Sequence, residues 1–315
     1  MTIVSNDPSL WPVIDAYRFF SYCVVAAFVA VTYDWALTFG QEVELVWRQR
    51  WSLMTFLYLA ARYLGIFYAA LTVLSTLPTI LVTDTVSWIT YVVRSWINVL
   101  VFAMLWVIII TRLHAMYQGS RKILIFLIVT FLADNIFDVV VSIMIMMHVS
   151  GEEYILSGTY MCQINYPEDD VLLVSITWIL ATVWEVLALC LAVWIAVKHF
   201  RELRRHSAGG IIGDCFSVLI KTHMAYFASF VAVSCFQLIA DLSPSLLTDE
   251  NSLESQTLSG LAQISTVVQA FVLGPRLILG VREYHAKLVA NSDAASAMTS
   301  IAFREQVHVS TSSSV

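Results

Sequence analysis

Charge is scarce in this sequence. Only 13% of its 315 residues are Asp, Glu, Lys or Arg, whereas a soluble domain has about 25%. Hydrophobic residues make up 59% of the chain, and its mean hydropathy is +0.78. The segments between the hydrophobic runs are too short to form a sizeable soluble domain. The composition therefore excludes a water-soluble protein and indicates one that folds in lipid.

Motifs for bound cofactors are also absent. The sequence contains no Gly-x-Gly-x-x-Gly and no Walker motif for nucleotides, and its last hydrophobic run, 258–281, has no lysine to carry retinal. A zinc hydrolase needs about three converging ligands. His148 and His223, which adjoin or lie within predicted spans, lie at opposite membrane faces. We therefore predict no cofactor, no metal site and no nucleic-acid partner, and an enzyme is the least favoured class.

Seven hydrophobic runs are long enough to cross a bilayer. A hydrocarbon core of about 30 Å requires roughly 20 apolar residues in a helix, and hydrocarbon forces each segment to satisfy its own backbone. The predicted spans are 17–38, 53–76, 89–112, 123–147, 171–197, 216–240 and 258–281. The predicted fold class is therefore all-α: a polytopic membrane protein with a bundle of seven transmembrane helices.

Basic residues are confined to one side of these spans. The outward segments 77–88, 148–170 and 241–257 contain no Lys or Arg. The inward segments and the C-terminal end contain Arg48, Arg50, Arg112, Arg121, Lys122, Lys198, Arg201, Arg204, Arg205, Lys221, Arg282, Lys287 and Arg304. Short loops rich in Lys and Arg stay in the cytoplasm, so the predicted orientation is N-terminus out and C-terminus in. Arg18, at the head of the first span, is a weak counter-indication.

Three parts of the chain follow from this topology. We predict an extracytoplasmic segment at 1–16, a transmembrane domain at 17–285 and a cytoplasmic tail at 286–315. The tail is rich in Ser, Ala and Thr, a composition that cannot bury a core, and is predicted to be disordered. The acidic, aromatic loop 148–170 is a candidate lid over an outward cavity. The basic inner loops are expected to face the lipid bilayer through anionic head groups, with a cytoplasmic signalling partner as the alternative.

Three acids lie deep inside predicted spans. Asp134 and Asp138 are one helical turn apart and share a face of the fourth span, and Glu185 lies near the middle of the fifth. A buried ionisable residue costs about 2.5–3.5 kcal/mol on insertion scales, so each needs a reason to be there. They are candidates for ligand or ion binding. The alternative is structural: the acids are protonated or paired with Arg62 or Arg94.

Asp34 and Arg62 form the sharpest residue-level hypothesis. Helical side chains lean toward the N-terminus of their own helix. Asp34 on the first span and Arg62 on the second, which run in opposite directions, therefore lean toward a common depth. We predict a structural ion pair between them in the inner half of the bundle, with a switchable lock as the functional alternative.

Gly274 and Pro275 interrupt the last span. Proline lacks the backbone N–H and clashes with the carbonyl four residues earlier, so the pattern predicts a kink near Phe271. The two residues are a candidate hinge.

Four separated stretches carry a resemblance to a known family. They are YDWALTF at 33–39 with Glu42, Glu44 and Trp47; RY at 62–63; RLHAMY at 112–117; and GPRLIL at 274–279 with Arg282 and Glu283. In this order they resemble the fungal seven-helix membrane proteins that have an N-terminal domain of unknown function, numbered 6533, here at about 22–68. The resemblance implies a polytopic membrane protein whose role is not established. It assigns no catalytic or binding residue.

Helix number, orientation, the kinked last helix and the basic inner face favour a receptor-like sensor, in the plasma membrane rather than an internal membrane. The competing class is a transporter or channel that uses Asp134, Asp138 and Glu185. The sequence specifies neither a ligand nor an oligomeric state.

Overall fold

Long apolar helices dominate the protein. The computed structural model describes residues 2–5, 7–49, 51–77, 83–117, 120–156, 159–165, 168–205, 211–242, 253–283 and 286, so the predicted tail lies outside the described residues apart from Ala286. The helices are α1 (Trp11–Glu42), α2 (Leu53–Thr76), α3 (Asp84–Met116), α4 (Arg121–His148), α5 (Glu168–Arg205), α6 (Ile211–Leu242) and α7 (Leu253–Val268). A π-helical turn, Gln269–Leu273, and a last helical stretch at 274–283 continue α7.

Six of these helices are long and apolar enough to cross a membrane. The stretches are Trp11–Trp47, Leu53–Thr76, Thr85–Met116, Arg121–His148, Leu172–Lys198 and Gln256–Glu283. Within the described part of α6, the apolar stretch is shorter, Met224–Ala240. Repeated helices of this length and composition are what the hydrocarbon core of a bilayer requires. The protein is therefore a multi-pass membrane protein.

The outer surface of the bundle is apolar. On α4, the large side chains of Ile125, Val129, Leu132, Ile136 and Val140 are all exposed. An apolar surface of this extent would drive association in water, whereas in lipid tails it is an ordinary solvated surface. The outer face of α4 therefore fits a lipid-facing helix.

The first helix is longer than predicted at both ends. It begins at Trp11, where Pro12 occupies the first turn, a position at which the missing N–H of proline costs nothing. The predicted end at residue 38 is wrong, because α1 continues to Glu42 and then as a π-helical turn, Val43–Trp47. Hydropathy marks where a helix leaves lipid and does not mark where its hydrogen bonds stop. Much of the connection between the first two predicted spans is therefore helical.

A small sheet lies at one end of the bundle and was not predicted by the all-α class. The N-terminal strand β1 (Thr2–Ser5) pairs in parallel with β2 (Ser150–Leu156), which pairs antiparallel with β3 (Thr159–Asn165). An apolar cluster beside it joins Ile14 and Tyr17 to Leu156. We call this end of the bundle the sheet end. The candidate lid segment 148–170 thus contains a β-hairpin that is tied to the N-terminus.

The opposite end is fixed by the last helix. Arg282 donates through Nη1 to the Leu45 carbonyl at 2.8 Å and through Nη2 to Thr55 Oγ1 at 2.6 Å. Thr55 belongs to the capping box with Ser52 that begins α2, in which side chains satisfy the first free N–H groups of the helix. The end of the last helix and the α1–α2 connection therefore meet at what we call the connection end.

The core is centred on α3. Val101 and Leu113 are fully buried, and Trp106 stacks on Trp184 of α5, with ring centroids 4.4 Å apart and planes 13° apart. Two glycines bring the last helix close to its neighbours. A Cβ on Gly65 of α2 would lie 2.5 Å from Cδ1 of Phe271, and one on Gly274 would collide with Leu105. The predicted kink position thus coincides with the π-helical turn and with close packing against α2 and α3.

Candidate functional site

Arg62 is the centre of a buried group of charges near the connection end. Its side chain is 2% exposed, and Nη1 lies 2.6 Å from Oδ2 of Asp34. Nη2 also donates to Thr38 Oγ1 and to the Asp34 carbonyl. The structure therefore brings together the two residues that were predicted to pair.

Glu42 is a second buried acid beside Arg62, and the sequence reasoning missed it. It is fully buried, and Oε2 lies 3.6 Å from Arg62 Nε. Three donors reach its carboxylate: Trp47 Nε1 at 3.0 Å, Tyr58 OH at 3.1 Å and Tyr63 OH at 2.9 Å. Asp34, Thr38 and Glu42 recur every fourth residue, the spacing that places side chains on one helical face. That spacing was a usable signal, but the predicted helix ended at residue 38.

Arg276 completes the group from the last helix. Its Nε lies 2.5 Å from Oδ1 of Asp34, and its side chain is 45% exposed. Asp34 is therefore shared between α2 and the last helix. We call Asp34, Glu42, Arg62 and Arg276 the charge cluster. Each of its two buried acids lies beside an arginine, as a buried charge requires, and the cluster ties together α1, α2 and the helical stretch after the candidate hinge Gly274–Pro275.

A cavity of about 200 Å³ lies between α3, α4, α5 and α6. All three predicted acids line it: Asp134 and Asp138 from α4 and Glu185 from α5. Its wall also contains Asn98, Asn135, Ser142 and Ser234, and aromatic rings from Tyr91, Phe102, Trp106, Phe137 and Trp178, with no Lys, Arg or His among the described residues that line it. We call it the acidic cavity. On α3 its lining runs from Tyr91 to Trp106, starting near the sheet end, where β2 contacts α3.

The two arginines considered as partners of these acids point elsewhere. Arg62 belongs to the charge cluster. Arg94 donates from Nη1 to Ser75 Oγ at 3.1 Å, and its guanidinium carbon lies 5.6 Å from the centre of the Tyr68 ring, so it faces α2. Glu185 is 5% exposed and accepts a hydrogen bond from Ser234 Oγ at 2.6 Å. In the described structure, Glu185 therefore has a neutral polar partner, and none of the three acids lies in a described ion pair with a base.

Stacked rings close the cavity toward the middle of the bundle. Trp106 lines the cavity and stacks on Trp184, whose Nε1 donates to Thr130 Oγ1 at 3.2 Å. Trp106 is 6% exposed, and its own indole N–H has no hydrogen-bond partner among the described atoms. An unpaired buried donor is costly, and this N–H is too enclosed for a water molecule to reach it. Neither tryptophan was singled out from the sequence, because a ring in an apolar helix gives no sign of what it faces.

These features define a helical, multi-pass membrane protein with a buried charge cluster and a separate acidic cavity. Residues 22–67 match a protein family described as a family of unknown function, DUF6533. The matched segment contains Asp34, Glu42 and Arg62 but neither Arg276 nor any residue of the cavity lining. The chain matches no curated protein.

Proposed function

We propose that the protein is a receptor-like seven-helix sensor of the plasma membrane that binds its ligand in the acidic cavity. The observation that carries this proposal is a cavity with three carboxylates and no basic residue in its described lining, placed in the half of the bundle nearer the sheet end. Ionisable residues inside a membrane mark binding sites and ion pathways. A ligand-sized space lined by them is the strongest site in the described part of the chain.

Two contacts support seven crossings with the termini on opposite sides. β1 precedes α1 and pairs with β2, which follows α4, and this needs an even number of crossings between them. Arg282 at the end of the last helix contacts Leu45 in the α1–α2 connection. The chain must therefore also cross the membrane an even number of times between Leu45 and Arg282, and the six helices α2 to α7 satisfy this. With the crossing by α1, the total is seven. The Lys/Arg bias supports the sheet end as the extracytoplasmic side.

The packing below the cavity favours a sensor over an open pore. The Trp106–Trp184 stack lies beside buried apolar residues of α3 and α5, including Leu105, Ile109 and Ala188. The polar groups described in this layer are the two indole N–H donors, which cannot replace a cation's water, and Thr130 Oγ1, which accepts from Trp184. A transporter or channel that uses Asp134, Asp138 and Glu185 is the second candidate, because the same three acids could carry a proton or a cation.

Flux through proteoliposomes separates these two functions. We expect purified full-length protein in sealed liposomes to give no proton or Na⁺ flux above that of empty liposomes under an imposed gradient and potential, because the ring stack blocks the path. pH-sensitive and Na⁺-sensitive dyes inside the liposomes measure the flux. Asp138→Asn is the matched variant. A wild-type flux that Asp138→Asn abolishes would replace the sensor with the transporter or channel.

A further inference from the structure

We infer that the ligand of the acidic cavity is a small organic cation that has an apolar, ring-sized body. This inference rests on the proposed function, because it names the class of ligand for the same site. Its charge, its size and its apolar body follow from different features of the cavity wall.

The charge follows from an imbalance in the wall. Asp134, Asp138 and Glu185 face the space, and no described lining residue carries positive charge. A carboxylate away from water is stable only if it is paired or protonated, and the acids of the charge cluster show how this chain pairs them with arginine. In the cavity no described lining residue can pair with the acids in this way, so a cationic ligand would pair with them. An anion would meet three acids and no compensating base.

The organic nature of the cation follows from geometry and from the aromatic wall. The described residues contain no group of three or more His, Cys, Asp or Glu placed to hold a metal ion, so the three carboxylates line one space without converging on one point. Phe102 and Trp178 meet edge to face with ring centroids 5.9 Å apart, and both line the cavity. Aromatic faces attract organic cations and pack against apolar bodies, whereas a hydrated metal ion gains little from them.

The size of the ligand follows from the volume of the cavity. Drug-sized ligands occupy pockets of roughly 300–1,000 Å³, so a cavity of about 200 Å³ suits a molecule of one ring and a short chain. The ammonium would then lie among the acids and the ring against the aromatic wall.

Binding of a matched set of probes tests this inference. The full-length protein in nanodiscs is titrated by isothermal titration calorimetry with phenethylamine, phenylethanolamine, phenethyl alcohol and hydrocinnamate, which share a ring and differ in charge. We expect the two amines to bind and the neutral alcohol and the anion to bind at least about tenfold more weakly.

Two variants assign the contacts. Asp138→Asn and Glu185→Gln should each weaken amine binding by about tenfold or more and leave the alcohol unchanged. Glu44→Gln removes an exposed acid outside the cavity and should bind like the wild type. Near-ultraviolet circular dichroism of each variant confirms that it is folded.

The outcomes separate this inference from the proposed function. Amine binding that is lost in the folded acid variants, with or without a signalling response, supports the cation assignment. Equal binding of alcohol and amine, amine binding unchanged in both acid variants, or no binding of either amine to folded wild type overturns it. A flux in the liposome experiment would overturn the sensor and leave the ligand class standing.

Discussion

Replacing Arg62 with Gln is expected to lower the free energy of unfolding by about 3–5 kcal/mol, because removing one partner of a buried ion pair leaves an uncompensated buried charge. Two carboxylates depend on this guanidinium, Asp34 at 2.6 Å and Glu42 at 3.6 Å. Asp34→Asn should cost less, since Arg62 keeps Glu42 and the side chain of Arg276 is 45% exposed. Denaturation of the detergent-solubilised protein, followed by circular dichroism, measures both losses.

Combined variants show whether these charges act as one group. Asp34→Asn with Arg62→Gln should recover part of the loss, and adding Glu42→Gln should recover more, because no orphan acid then remains. Arg94→Gln is the matched control: its arginine donates to the neutral Ser75, and its loss should be smaller than that of Arg62→Gln. Strictly additive losses in the Asp34–Arg62 double-mutant cycle would show that the two residues are not coupled. A stable double variant that no longer responds to ligand would identify the pair as a switchable lock.

An impermeant thiol reagent added outside the cell is expected to label a cysteine at the sheet end of the bundle and none at the connection end. In a variant without the five native cysteines, Thr83→Cys should react with an impermeant maleimide on intact cells, and Gln49→Cys should react only after permeabilisation. Both residues are exposed, so accessibility depends on the side of the membrane alone. The physical reason is the absence of Lys and Arg from the outward segments, since short basic loops stay in the cytoplasm.

The two positions control for each other. Each cysteine should react fully in permeabilised cells, which shows that the chemistry at both sites is equal. Labelling of Gln49→Cys but not Thr83→Cys on intact cells would reverse the orientation. Labelling of both on intact cells would place the two ends on one side and exclude the seven-crossing topology.

The sequence could predict the Asp34–Arg62 contact because opposite charges at a common depth in neighbouring antiparallel helices have few other partners. It could not predict Glu42, because hydropathy ended the first helix before that residue, although the helix continues. Arg276 lies 242 residues from Asp34, and no local pattern reports which face of the last helix meets α1. The transmembrane helices could be predicted from local sequence, because lipid imposes length and apolarity on each segment separately.

The sheet and the cavity needed the structure. β1 is only four residues long, which is too short to show an alternating pattern. Its partner β2 lies beyond α4, so no local pattern links the two strands. The three acids of the cavity were predicted from their depth and from the face that Asp134 and Asp138 share. The shape of their common space and the absence of a base from its described lining depend on how four helices pack, which the sequence does not specify.

If the protein is a sensor, ligand in the acidic cavity must change the connection end of the bundle. Spin labels at Gln49→Cys and Lys198→Cys, both exposed near the predicted inner face, report that end by pulsed electron paramagnetic resonance of the full-length protein in nanodiscs. With saturating phenylethanolamine, we expect a shifted distance distribution in the labelled protein with the native cavity and no shift when Asp138→Asn and Glu185→Gln are added. An unchanged distribution in a labelled sample whose native cavity is occupied, as shown by calorimetry on the same preparation, would contradict the sensor function.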